Sequence, residues 1–225
     1  MHTGPLRKLS ATFVPGTSPR DGEVRYGMRL GESTVDLNAR VGTPLTVRAT
    51  GAKTCVVCGR SVTKFFGQGF CFPCFRDAPE ASECIMRPEL CRAHLGEGRD
   101  AAWERAHHDQ EHIVYLSWTG GVKVGVTRST QVPVRWIDQG AVLALPIART
   151  PYRQLAGLIE VALKRVLADR TDWRAMLRPM DPAPDALIAE RPRALGAIPE
   201  ELMTHALPGE AVWALRYPVD HLPPK

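Results

Sequence analysis

No apolar run in this 225-residue chain approaches the roughly 20 residues of a membrane-spanning helix, which excludes an integral helical membrane protein. The first residues, Met1 to Lys8, are not followed by the apolar core of a secretory signal, so a cytoplasmic protein is expected. No segment recurs at a fixed period, and neither a collagen-like nor a coiled-coil composition is present. Apolar residues still make up 44% of the chain, enough for a core, so wholesale disorder is excluded. The length admits one or two domains.

The formal charge of +5 is unevenly placed. Residues 113–178 carry 10 Lys and Arg against 4 Asp and Glu, whereas residues 179–225 carry 4 against 7. A basic stretch of that size suits a polyanion such as DNA or RNA. On charge alone, solubility explains it equally well.

Six cysteines carry the clearest signal. Cys55, Cys58, Cys71 and Cys74 read CxxC-x12-CxxC. Each CxxC turn aims two thiolates at one point, and two such turns supply the four tetrahedral ligands of a structural zinc. Gly59 follows the first pair, where a knuckle turn needs a positive φ. Residues 61–70 between the pairs read as a short hairpin, giving the layout of a zinc ribbon or knuckle pair. Disulfides are disfavoured in a chain without a secretion signal. Four thiolates leave no open coordination position, so a structural role is expected for the metal.

A second set follows: Cys84, Cys91 and His94, with His108 as first choice for a fourth ligand and His107 or His112 as alternatives. Cys91 and His94 have knuckle spacing. The competing interpretation is that the two cysteines are small buried side chains and the histidines are solvated. Residues 53–112 hold too little apolar surface to be stable without a staple, so metal binding and folding should be coupled there.

From residue 113 the pattern changes. Residues 113–117 form an apolar strand candidate, 118–121 a hairpin turn and 122–127 a second strand. A short helix is expected over 134–139, between Pro133 and Gly140, and a third strand over 141–146. A longer helix is expected from about 152 to 168, with Leu155, Leu158, Ile159, Ala162, Leu163, Val166 and Leu167 as its apolar stripe. Glu160 lies at the border of that stripe.

A hairpin, a helix carrying Arg135, a strand and a helix carrying Glu160 resemble the GIY-YIG nuclease superfamily in its divergent members. The residues that align are Val114-Tyr115-Leu116, then Lys123-Val-Gly-Val-Thr127, Arg135 and Glu160. The resemblance implies that Tyr115 helps activate water, Arg135 stabilises phosphate charge and Glu160 holds a divalent Mg or Mn ion. A phosphodiester needs those three functions: a nucleophile activator, a cation and a carboxylate-bound metal. Lys123 or its neighbour Val122 stands where the second Tyr of the pattern is expected; a Lys binds phosphate but does not repeat the phenol's role. Each residue also has a structural alternative: Tyr115 as a core aromatic, Arg135 as a surface cation, and Glu160 as a helix-flank charge near Lys164.

The chain also resembles a bacterial family of unknown function over about residues 35–220. The shared segments are Cys55 to Gly59, Gln68 to Cys74 and Arg135 to Ala141.

The flanks complete the layout. Residues 9–13, 24–30, 34–38 and 45–49 read as strands of a small antiparallel unit. The Pro-rich residues 178–184 read as a linker, followed by short helices and a strand over 211–218 that returns to the N-terminal sheet. Trp213 and Tyr217 are expected to be core aromatics rather than base-stacking platforms.

The expected class is α+β: a β-rich unit (1–52), a zinc-ribbon or knuckle insertion (53–112), a GIY-YIG-like mixed module (113–178), and a tail (179–225). The leading expectation is a zinc-stabilised nucleic-acid-binding protein, with contacts from Lys123, Arg128, Arg135, Arg149 and Arg153 and a site at Tyr115, Lys123, Arg135 and Glu160. The alternatives are an active metal-dependent endonuclease and a non-catalytic protein–protein adaptor.

Overall fold

A computed structural model describes residues 2–167 and 185–219. The strands are β1 (Ser10–Ser18), β2 (Asp21–Leu30), β3 (Ser33–Asp36), β4 (His112–Trp118), β5 (Val122–Arg128), β6 (Leu143–Thr150) and β7 (Trp213–Arg216). They form one seven-stranded sheet in the order β1-β2-β7-β6-β4-β5, with β3 also paired to β2. Every pairing is antiparallel except that of β2 with β7. The class is therefore α+β with a mostly antiparallel sheet. Through β7, the strands of 1–52 and those of the segment starting at 113 belong to the same sheet.

The helices are α1 (Phe72–Asp77), α2 (Ala101–His107), α3 (Val134–Asp138), α4 (Arg153–Leu163) and α5 (Asp185–Gly196). Short 3-10 turns carry the chain between α1 and α2. No helix among the described residues is long and apolar enough to cross a membrane.

Alternation along the central strands separates two cores. Val114, Leu116, Val124, Leu145 and Ile147 face α4 and α5, meeting Ala156, Ile159, Leu163 and Leu187. Ile113 and Tyr115 face the other way, toward Trp136 and Ile137 of α3, Val24 of β2 and Leu215 of β7. Covered on both sides, β4 is buried along nearly its whole length, which accounts for its unbroken apolar reading. Trp213 packs on Phe13 and Trp136, while Tyr217 stacks on Tyr26 and donates to the Ala141 carbonyl at 2.8 Å, so both aromatics are structural.

Three local expectations differ from the structure. Residues 45–49 form no strand; Leu45 and Val47 are exposed and no sheet edge receives them. The inward face of α4 is Ala156, Gly157, Ile159, Glu160 and Leu163, while Leu158 is 41% exposed. The helix is turned by its contact with the 3-10 turn Pro88–Leu90. Glycine at 157 makes that contact possible, since a methyl group there would overlap the backbone of Pro88 and Glu89. The helix expected to reach residue 168 ends at Leu163, with Lys164 as its C-cap and residues 164–167 in turns; residues 168–178 of the expected module and the linker at 178–184 lie outside the described residues.

The contact at Gly157 can be tested against helix propensity. Alanine is favoured over glycine inside a helix by about 1 kcal/mol, yet overpacking a closed contact costs about 1–3 kcal/mol. Gly157→Ala should therefore destabilise the protein in urea denaturation; a gain in stability would show that the turn moves aside freely.

Candidate functional site

Two groups of metal-ligating side chains occur among the described residues. In the first, the ligand atoms of Cys55, Cys58, Cys71 and Cys74 all lie within 4.8 Å of one another. Gly59 adopts a φ of +71° and closes the first knuckle, its N–H bonding the Cys55 carbonyl at 3.0 Å. Cys71 caps α1 and Cys74 sits one turn along it, so the two sulfurs share a helix face. Cys58 Sγ and Cys71 Sγ are 3.8 Å apart. A tetrahedron with metal–sulfur bonds of about 2.3 Å has edges of about 3.8 Å, so the group fits a tetrathiolate zinc. Burial alone would raise the Cys55 thiol, but the backbone N–H groups of Cys58, Cys71 and Val57 outweigh it and hold the thiol down at about 6. Amides aimed at one sulfur favour its thiolate, which is the form that binds metal. The cysteine cluster can thus hold zinc.

The second group comprises Cys84, Cys91, Glu104 and His108, again with all ligand atoms within 4.8 Å. Asp100 caps α2 by accepting from the N–H groups of Ala102 and Trp103, both at 2.9 Å. The capped helix presents Glu104 and His108, one turn apart, to the cysteines. Cys84 Sγ lies 3.7 Å from His108 Nδ1, and the Glu104 carboxylate hydrogen-bonds the same nitrogen. His94 does not join this group. The 3-10 turn Ala93–Leu95 lays its ring flat on Tyr152, with centroids 4.1 Å apart, and Glu104 takes the place expected of it. His107 stacks on Trp103 and bonds that residue's carbonyl at 2.8 Å. The signal that could have found Glu104 was an Asp cap followed by Glu and His at i, i+4 on one helix face.

The remaining site residues gather at the β4–β5 hairpin, α3 and α4. Tyr115 is fully buried, and its hydroxyl donates to Gln139 Oε1 at 2.7 Å. It lies over Gly125, its partner in β5; a methyl group at that position would come within 2.7 Å of the hydroxyl oxygen. Burial holds the Tyr115 proton on, the Glu160 carboxylate adds to this, and the Arg135 guanidinium, which hydrogen-bonds the hydroxyl, works against it. Lys123 is only 5% exposed; burial first, then the charge of Arg135, brings its ammonium down to about 8. Glu160 is 9% exposed and has Lys164 Nζ at 3.5 Å. Gln139 and Gly125 are partners of Tyr115 that its sequence neighbourhood did not mark.

The five expected phosphate contacts divide by environment. Arg135 is exposed and Arg128 half-buried. Arg149 pairs with Glu111 at 3.1 Å. Arg153 is drawn inward, donating to the carbonyls of Cys84 and Ile85, both at 3.0 Å, while its own N–H bonds the His108 carbonyl at 2.9 Å. It therefore ties the start of α4 to both arms of the second cysteine group.

The model of a family described as a protein of unknown function, DUF2797, matches residues 42–225. The chain belongs to this family. The DUF2797 match takes in both metal groups, the hairpin and α3 to α5, and begins after β3. No curated protein and no solved structure matches the chain.

Two outcomes follow from these environments. Around the first group only Cys55, Phe70, Cys71 and Ala78 are buried apolar residues. Zinc chelation or Cys58→Ser should therefore abolish hydrogen-exchange protection over residues 53–78 while the β4–β6 strands stay protected; unchanged protection would show that the loops hold without metal. His112 is buried, with Nδ1–H donating to the Gln110 carbonyl at 2.6 Å, and burial pushes its imidazole down to about 3. As pH falls from about 6.5 toward 3, the unfolded chain takes up a proton that the folded one refuses, so stability falls. His112→Asn should shrink the loss between pH 7 and pH 5 by about 1–2 kcal/mol in urea denaturation; an equal loss in both proteins would place the acid sensitivity elsewhere.

Proposed function

We propose that this protein binds nucleic acid through a phosphate-facing site on a GIY-YIG-like frame, with zinc holding the adjoining loops. One observation carries the reading: cations crowd together around a single helix–hairpin junction. Burial is the first cause that lowers Lys123, Arg128 and Arg153, and like charge adds to it: Arg135 on Lys123, Arg153 on Arg128, and Arg135 on Arg153, where Cys84, Cys91 and Glu160 work the other way. Holding like charges in mutual range costs free energy that a polyanion would offset, and burial sharpens that attraction. The frame is supported by the element order of hairpin, helix with Arg135, strand and helix with Glu160, and by the sheet order β5–β4–β6.

Cleavage of the bound strand is a second reading, favoured by the reach of Glu160 to Tyr115. It would need Mg or Mn on the Glu160 carboxylate. Against it stands Tyr115 itself: a fully buried hydroxyl that already donates to Gln139, with its proton held more tightly than usual, is poorly placed to activate water. Binding is therefore the conclusion, with catalysis secondary. A protein–protein adaptor is the outcome if neither occurs.

The test is a salt-titrated binding assay on single- and double-stranded DNA and RNA, with Mg²⁺ or Mn²⁺ added in a cleavage arm. Arg135 is exposed, so Arg135→Gln should fold normally. It should weaken binding about 10-fold and lower the salt slope by about 1. Glu160→Gln should leave binding in place and abolish any cutting. Absence of binding to all four nucleic acids at low salt overturns the proposal.

A further inference from the structure

The geometry points to a second metal site of mixed donor type, in which Cys84, Cys91 and His108 are completed by the Glu104 carboxylate and hold a zinc ion. This inference stands apart from the nucleic-acid reading.

The four donors come from three local structures that each fix one part of the set. Cys84 lies in the 3-10 turn Glu83–Ile85, and Cys91 follows the turn Pro88–Leu90. The Arg153 guanidinium holds the first of these by two carbonyl oxygens. Gly157 receives the second against α4. Asp100 fixes the start of α2, and with it the face carrying Glu104 and His108. None of these supports uses a donor atom of the four, so the site is organised from outside, as a metal site requires.

Separation fits as well. Zinc–sulfur bonds of about 2.3 Å and zinc–nitrogen bonds of about 2.0 Å place a sulfur and a nitrogen on a tetrahedral edge of about 3.5 Å. Cys84 Sγ and His108 Nδ1 are 3.7 Å apart. Glu104 and His108 are 3% and 2% exposed, and the buried carboxylate faces the His108 Nδ1 atom, so a cation shared by the two would satisfy both. Zinc supplies that cation for the carboxylate and two thiolates together.

Glycine at 98 provides the space. Its φ is +155°, and a Cβ there would overlap the Glu104 side chain. A side chain at 98 would require the Glu104 side chain or the backbone at 98 to shift. Access exists too: a cavity of about 250 Å³ is lined by three of the donor residues, Cys84, Cys91 and Glu104, together with Ser82, Arg92 and Arg99. An ion can enter without unfolding the module.

The experiment counts metal on the full-length protein. Zinc-loaded wild type should carry two ions per chain by elemental analysis, and His94→Ala should keep both. The near-isosteric Glu104→Gln should bind the second ion at least about 10-fold more weakly in a zinc titration. With cobalt(II) in place of zinc, the same variant should shift the ligand-field bands of one site and leave the tetrathiolate bands alone. A single ion in the wild type, with Cys84 and Cys91 titrating as free thiols, overturns the site. Loss of the second ion in His94→Ala, or an unchanged affinity and cobalt spectrum in Glu104→Gln, overturns the donor set.

Discussion

The backbone of α4 lies against the backbone of Pro88 and Glu89 with no room for a methyl group between them. The placement of Glu160 and of the second cysteine group follows from that contact. It turns Leu158 to solvent and Glu160 inward, because a helix held by its glycine cannot rotate to bury its longest apolar stripe. It also fixes the loop between Cys84 and Cys91, and Arg153, four residues earlier on the same helix, clasps that loop's other end. The carboxylate of Glu160 and the second cysteine group are thus two outputs of one packing decision.

The two metal groups differ in what surrounds them. The first has little apolar cover, so its thiolates are the core of residues 53–78. The second is built into the main fold through α2 and α4, where capping, packing and a buried arginine would hold it in outline. A metal bound at the first group would thus stand in for a core, whereas one bound at the second would add to a frame already set by other contacts.

The sequence was legible where the spacing of one residue type encodes geometry locally. The CxxC pairs, the knuckle glycine at 59, the hairpin at 118–121 and the stop at Gly140 all depend on neighbours within a few residues. What escaped depends on the partner. Glu104 reads as a surface charge on a short polar helix until the cysteines arrive from the preceding turns. His94 has knuckle spacing from Cys91, yet Tyr152, distant in the chain, claims its ring. Arg149 and Arg153 count equally in a charge tally, but Glu111 pairs one and two carbonyls bury the other. Residues 45–49 alternate like a strand and lack only an edge to join.

One pairing bears on how the chain reaches this shape. Asp21 of β2 lies beside Ala214 of β7, and that late strand is also what reaches β6. As the polypeptide leaves the ribosome, the early hairpin and the central strands exist as two separate half-sheets, each with a bare edge facing the gap. Only when the stretch around Trp213 emerges can both edges be closed at once. Contacts so distant along the chain form slowly, and until then each open edge is a place where a neighbouring nascent chain can pair instead.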